Sequence, residues 1–264
     1  MIEWIEANGA SLRCELRGHG GSALVLVHEM GGTLESWDAV LPRLASGRRV
    51  LRYDTRGAGA SSKLRGTADI GQMADDLAAL LDAFDIAAPV ALAGCAVGGA
   101  IAVRFAARFP ARVAALIAMA PALGVAPERR QATLERAQLA EEQGMAPGTD
   151  ALFDATWPPA VRGDMASFRS YRAKWLANDP HSFAAVNRML AGLDMAADLA
   201  AIGCPTLLLA GVFDQLRPPA LVEPLARRIS NARFIALPTG HFMAVQTPAA
   251  VAARIDEFLV GCGL

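Results

Sequence analysis

The stretch that decides the fold runs from Pro89 to Phe109, PVALAGCAVGGAIAVRFAARF. Val90 to Ala93 is a short apolar run, Gly94-Cys95-Ala96-Val97-Gly98-Gly99 breaks it, and an alanine-rich pattern with helical spacing follows. The order is strand, sharp turn, helix. So tight a turn brings its central residue close to the backbone two positions either side. Those neighbours must be small, and Gly94 and Gly98 meet that demand. The residue at the apex is Ala96. In the G-x-S-x-G motif the apex is serine, so the chain carries the scaffold of a nucleophilic serine without the hydroxyl.

Three other readings of this stretch compete. Ile86 to Val103 contains no charged residue and nominally reaches the length of a membrane span, but Pro89 and the glycines break it where a spanning helix would continue. A dinucleotide cradle would need a glycine at the Ala96 position, a place near the start of the chain and an acidic residue ending the next strand-like run, Val113 to Met119. None of these is present. A turn that serves packing alone is the third reading, and the rest of the chain decides it.

The chain has 264 residues, 53% hydrophobic, enough for one large α/β domain with an insertion. A formal net charge of −1 with interspersed signs gives no basic footprint for nucleic acid and no polybasic patch for a membrane. A small neutral or anionic molecule is the expected partner, with a homo-oligomer left open. The opening MIEWIEANG shows neither a basic leader nor a long apolar stretch, so no secretory signal is expected. Cys14, Cys95, Cys204 and Cys262 lack paired spacing, which argues against a disulfide framework or a zinc site and for a cytoplasmic protein with free thiols.

Outward from the central stretch, Ile2 to Ala7 and Leu12 to Arg17 flank Asn8-Gly9 and predict a hairpin. Ala23 to Val27, ALVLV, reads as a strand buried on both faces. A helix is expected around Trp37 to Leu44, a strand over Arg49 to Tyr53, then a glycine-rich turn that Asp54 and Arg56 brace. Ile70 to Phe84 has helical spacing with Asp75, Asp76 and Asp82 on its polar side. Alternating strands and helices predict a mostly parallel sheet covered on both faces. From roughly Pro121 to Asp198 the patterns are helical, with Thr149 and Asp179-Pro180 as helix starts and Gly144, Gly148 and Gly192 as breaks. This segment, 121–198, is expected to be a helical cap inserted into a core domain of 1–120 and 199–264. Alternation resumes with Thr206 to Ala210, a helix from Ala220 to Ile229, a strand from Arg233 to Ala236 and a helix from Pro248 to Val260.

In a parallel sheet the loops at the carboxyl ends of the strands converge on one site. Ala96, His28 to Gly32, Gly211-Val212-Phe213-Asp214 and Thr239-Gly240-His241-Phe242 all follow such strands. His241 is the candidate general base. Asp214 would accept a hydrogen bond from its ring and stabilise the charged form. The backbone N–H groups of Met30 and Val97 are the expected oxyanion hole. Glu29 stands where a His-Gly loop would carry glycine, pointing to solvent or touching substrate. His28 is expected to bond loop backbone, and His19 and His181 to lie at the surface. Cys95 as nucleophile would set β-branched Val97 where the turn needs a small residue, so it reads as a buried small hydrophobe.

With these residues placed, the chain resembles the α/β-hydrolase superfamily over essentially its whole length. Its order of apex, acid and histidine is that of the superfamily's Ser-Asp-His triad. It is most similar to 3-oxoadipate enol-lactonases, on the segments LRYDTRGAGASS (51–62), ALLDAFDI (79–86), GTDALFDATWPPAVR (148–162), LDMAADLAAIGCPTLLLAG (193–211) and the terminal GHF (240–242). The resemblance implies hydrolysis of an ester or lactone in a small carboxylated or carbonyl substrate bound between sheet and cap, without metal or organic cofactor. It puts Ala96 at the nucleophile position beside Asp214 and His241, with Glu29, Cys95, Trp157 and Phe242 as substrate contacts. Trp157 looks like the tryptophan these enzymes set over the substrate, with cap packing as its other reading. Alanine cannot form the acyl intermediate. The sequence leaves open whether it is natural or an engineered replacement of serine. A nucleophile-free lyase, decarboxylase or cofactor-free oxygenase using His241 and Asp214 remains an alternative, as does a binding protein that kept the pocket.

Overall fold

Asn8 and Gly9 both take positive φ, 50° and 71°, and turn the chain back on itself. Ile2–Ala7 (β1) and Ala10–Arg17 (β2) therefore pair antiparallel in the computed structural model, which describes residues 1–264. Ala23–Val27 (β3) is buried at every position. The expected helix around Trp37 to Leu44 is instead two short 3₁₀ turns, Leu34–Trp37 and Leu41–Arg43. Pro42 stands at the start of the second, where it cannot donate to a continuing helix ladder.

Arg49–Tyr53 (β4) leads into Ile70–Ala83 (α1), capped by Asp69, whose side chain accepts from the Gln72 N–H. Asp76 is not on a polar face. It is 1% exposed and receives two hydrogen bonds from the Arg56 guanidinium, 2.6 and 3.0 Å, and one from Asn8 Nδ2 at 2.8 Å. Arg56 thus ties α1 to the first hairpin rather than bracing the glycine turn. Asp54 does brace that turn, accepting the N–H groups of Ala60 and Leu34, each at 2.8 Å.

Val90–Cys95 (β5), Val97–Arg108 (α2) and Val113–Met119 (β6) follow. The chain then leaves the sheet for Pro127–Gln143 (α3), Thr149–Thr156 (α4), Met165–Leu176 (α5), Pro180–Gly192 (α6) and Ala196–Ala201 (α7). It returns through Thr206–Gly211 (β7), Pro219–Ala226 (α8), Ala232–Leu237 (β8), Met243–Gln246 (α9) and Pro248–Gly261 (α10). The helix expected to reach Ile229 stops at Ala226, with Pro224 inside it.

The strands form one eight-stranded sheet in the order β1-β2-β4-β3-β5-β6-β7-β8. All pairings from β4 to β8 are parallel, and β2 joins β4 antiparallel. Period-two alternation divides the core. Val25, Val27, Val90 and Leu92 face a cluster shared with α1, α2 and α6, whereas Leu24, Leu26, Ala91 and Ala93 face one shared with Trp37 and α10. Covered on both faces, the sheet leaves only its strand ends to build a site. No helix is long and apolar enough to cross a membrane.

Candidate active site

Ala96 joins β5 to α2 with φ 51° and ψ −112°, a conformation costly for a residue with a Cβ. Neighbouring groups hold it there. Its N–H donates to Met119 O at 2.8 Å, and its carbonyl accepts from Ala122 N at 2.9 Å, pinning the turn to β6. A Cβ on Gly94 would overlap the carbonyl oxygen of Gly98, and one on Gly98 would overlap that of Val27. The turn can therefore form only with glycine at both places, and it aims the Ala96 methyl into the cavity beyond the strand ends.

Asp214 follows β7 and is 2% exposed. One carboxylate oxygen, Oδ1, accepts the N–H groups of Leu216 and Arg217 at 2.8 and 3.1 Å, and Oδ2 lies 2.6 Å from His241 Nδ1. Burial pushes the Asp214 carboxyl up, but the adjacent His241 and the two backbone donors outweigh it and hold the group below the usual carboxylate range. Because Nδ1 is committed to the carboxylate, Nε2 is the nitrogen left to face the cavity with a lone pair. The His241 loop is fixed in turn, its N–H donating to Thr156 O at 2.8 Å.

Ala96, Val97, Met30, His241 and Phe242 line one cavity of about 180 Å³ under the helices that follow β6. Val97 is the first residue of α2, where a helix leaves its N–H without an intrahelical acceptor. A carbonyl group entering here can meet a proton acceptor at His241 and a backbone donor at Val97, while the apex beside them offers only a methyl group.

Three expected substrate contacts lie elsewhere. Glu29 neither points to solvent nor lines this cavity. It is 1% exposed, and its Oε1 accepts from Ser36 Oγ at 2.8 Å and from the Tyr171 hydroxyl at 2.6 Å. Cys95 is fully buried in the sheet core, its Sγ 3.5 Å from His241 O, and burial pushes its thiol well up, which makes it a poor nucleophile. Trp157 is packed edge-on against Phe168 and Tyr171, with its Nε1–H donating to Val161 O at 3.0 Å, so packing is the role its surroundings support. His28 bridges loop backbone as expected, with Nδ1 2.7 Å from Glu29 O and Nε2 accepting from Thr55 N at 2.9 Å. His19 and His181 are exposed.

Sequence reasoning missed several residues of the cavity wall. Trp175, not Trp157, is the tryptophan there, with Phe183 and Asn187 from α6. Arg129, Thr133 and Arg136 come from α3 at i, i+4 and i+7, a one-face spacing that was visible but uninformative until the neighbouring elements were known. Arg217, three residues after Asp214, completes the wall.

A mostly parallel sheet, a strained turn after its fifth strand and a histidine bonded to an aspartate at the strand ends define an α/β-hydrolase. The chain belongs to the Hydrolase_4 family, described as serine aminopeptidase, S33, whose model matches residues 13–239. It is 29% identical over 238 residues to 3-oxoadipate enol-lactonase 2 of Acinetobacter baylyi, covering 90% of this chain and 88% of that protein. Among solved structures it is similar to a thermophilic esterase from Thermogutta terrifontis, with TM-score 0.91, 27% identity and 99% of each chain covered. It is equally similar to the enol-lactonase from Burkholderia xenovorans LB400, with TM-score 0.91, 26% identity and coverage of 98% of this chain and 100% of that one.

Proposed function

We propose that this hydrolase-family protein cleaves an ester or lactone bond in a small carboxylated or carbonyl substrate held between the sheet and a helical cap formed by residues 121–198. The observation that carries the reading is the 2.6 Å contact between His241 Nδ1 and Asp214 Oδ2 in a cavity that His241 shares with Ala96, Met30 and Val97. In this reading the substrate carbonyl lies over the Ala96 methyl with its oxygen toward the N–H groups of Met30 and Val97. His241 Nε2 removes a proton from a water molecule as that water attacks the carbonyl carbon, and Asp214 stabilises the imidazolium that forms. The same imidazolium then returns the proton to the leaving alkoxide or enolate. No acyl-enzyme forms, because a methyl group cannot be acylated.

The test compares hydrolysis of a small lactone and an aryl ester by the native chain, Ala96→Ser and His241→Ala. Binding and oxyanion contacts alone support roughly 10³ to 10⁴ over the uncatalysed rate. General-base help from histidine adds typically about 10² or more. His241→Ala is therefore expected to lower native turnover about a hundredfold, and Ala96→Ser to raise it by a similar factor through a covalent route. Unchanged turnover in His241→Ala with ligand still bound means a binding protein.

The bare methyl at the apex favours a second reading, a nucleophile-free lyase in which the same pair abstracts a substrate proton. Under that reading Ala96→Ser gains no hydrolysis and loses the native activity.

A further inference from the structure

The chain uses most of its arginines in ion pairs with carboxylates, yet Arg129, Arg136 and Arg217 take part in none. All three line the cavity that holds Ala96 and His241, whose wall contains no carboxylate. The Arg217 guanidinium donates to Gly124 O at 2.5 Å, and the guanidinium groups of the other two have no hydrogen-bonded protein partner. Arg129 is exposed at the rim, while Arg136 and Arg217 are half-buried, so the charges run from solvent toward the site.

A second, larger chamber of about 540 Å³ lies between α3 and α4, and Arg129, Arg136, Leu152, Trp175, Phe183 and Leu216 belong to both walls. The two arginines of α3 thus stand on the boundary between an outer chamber and the inner cavity. Glu135 is the carboxylate in the outer wall, bonded there to Gln131. Guanidinium groups partly removed from water beside like charges are unfavourable unless an anion joins them. Burial lowers both Arg136 and Arg217; the Asp214 carboxylate offsets part of this at Arg217, and neighbouring Arg129 adds to it in each.

We propose that Arg129, Arg136 and Arg217 form an anion-binding subsite that holds the remote carboxylate of a dicarboxylic half-ester or carboxylated lactone, with the outer chamber as its approach. The proposal rests on reading the inner cavity as the substrate site. A planar carboxylate can accept paired N–H groups from guanidinium in the plane of both, and the apolar wall between the arginines and His241 suits a short methylene chain. Arg217 also shares a loop with Asp214, whose Oδ1 accepts the Arg217 N–H, so an anion on this side chain stiffens the segment that orients His241.

Binding tests this without turnover. Succinate, glutarate, adipate, adipamide and inorganic phosphate are titrated calorimetrically into the native chain, Arg136→Met, Arg136→Lys, Arg129→Met and Arg130→Met. Arg130 is an exposed neighbour on α3 outside both chambers, so it controls for the lost charge. At least one dicarboxylate is expected to bind, weakened about tenfold or more by Arg136→Met and Arg129→Met, less by Arg136→Lys and not by Arg130→Met. Adipamide is expected not to bind. The subsite is overturned if no dicarboxylate binds, if adipamide binds as well as adipate, or if Arg130→Met weakens binding as much as the other two. Phosphate binding tighter than every dicarboxylate overturns the carboxylate assignment. Dicarboxylate binding that follows this pattern in a native chain that hydrolyses neither ester nor lactone would refute the catalytic reading and leave the subsite standing.

Discussion

Two buried carboxylates, Asp214 and Glu29, show how surroundings decide what the same chemical group can do. Asp214 has the His241 ring and two backbone N–H groups around it, so both of its oxygens have N–H partners. Glu29 has two hydroxyl donors on one oxygen and no cation, and its Oε2 is buried without a partner. A buried charge without an opposing charge costs several kcal/mol, and its neutral isostere is often at least as stable. Glu29→Gln keeps an oxygen to accept from Ser36 and Tyr171 and removes the charge. It is therefore expected to unfold in urea at equal or higher denaturant at pH 7, by up to about 2 kcal/mol. A loss beyond about 1 kcal/mol would mean that the anion itself is needed where it sits. The Tyr171 hydroxyl reports the same field, since burial and then the adjacent Glu29 push it well above its ordinary range.

Between elements, ionic contacts join segments that the sheet alone leaves loose. Glu35 in the first 3₁₀ turn meets Arg13 of β2 and accepts from Thr33 Oγ1 at 2.6 Å. Burial pushes its carboxyl up, but the bonds from Arg13 and Thr33 more than offset this and bring it from 4.5 to about 2. A folded-state value below the unfolded one means that the unfolded chain takes up the proton first. The contribution is complete above pH 4.5 and is lost as pH falls toward about 2. Glu35→Gln should therefore destabilise the protein at pH 7 and lose most of that effect near pH 2.5, as read from urea midpoints at both values. An equal cost at both would show that the contact is not electrostatic.

These contacts also mark where the sequence stops being legible. Gly94, Gly98, Asp214 and His241 could be read because a tight turn and the loops after apolar strands obey short-range rules. Trp175 and Trp157 could not be told apart, and Asp76 looked solvent-facing. Which helix face is covered depends on elements far along the chain, here α6 and the first hairpin. Glu29 and Cys95 stand beside Met30 and Ala96 in sequence, but strand alternation turns Cys95 into the core and the Tyr171 hydroxyl holds Glu29 away from the cavity.

At the scale of the whole molecule, α4 and α5 are built around a small hydrophobic cluster of their own. Phe153, Trp157, Phe168, Tyr171 and Trp175, from α4, α5 and the turn between them, form a cluster with Phe183 and Phe242 that is separate from the two sheet clusters. The other side of α6 is different, because Ala185, Val186, Met189 and Leu190 belong to the large core shared with α1 and α2. Local opening has a lower free energy where a segment has its own small core than where it shares the main one. Amides of α4 and α5 are therefore expected to exchange with solvent together, well before those of α6, β5 and β6, in native-state hydrogen exchange. The opening would widen the passage between the outer chamber, whose wall includes Gly148, Thr149, Ala151, Leu152 and Ala155, and the inner cavity. A dicarboxylate bound across α3 and the Asp214 loop should protect the α3 amides more than those of β5. Uniform protection across α4, α5 and the strands would mean that α4 and α5 open only with the whole fold, and that substrate enters past Arg129 at the rim without such opening.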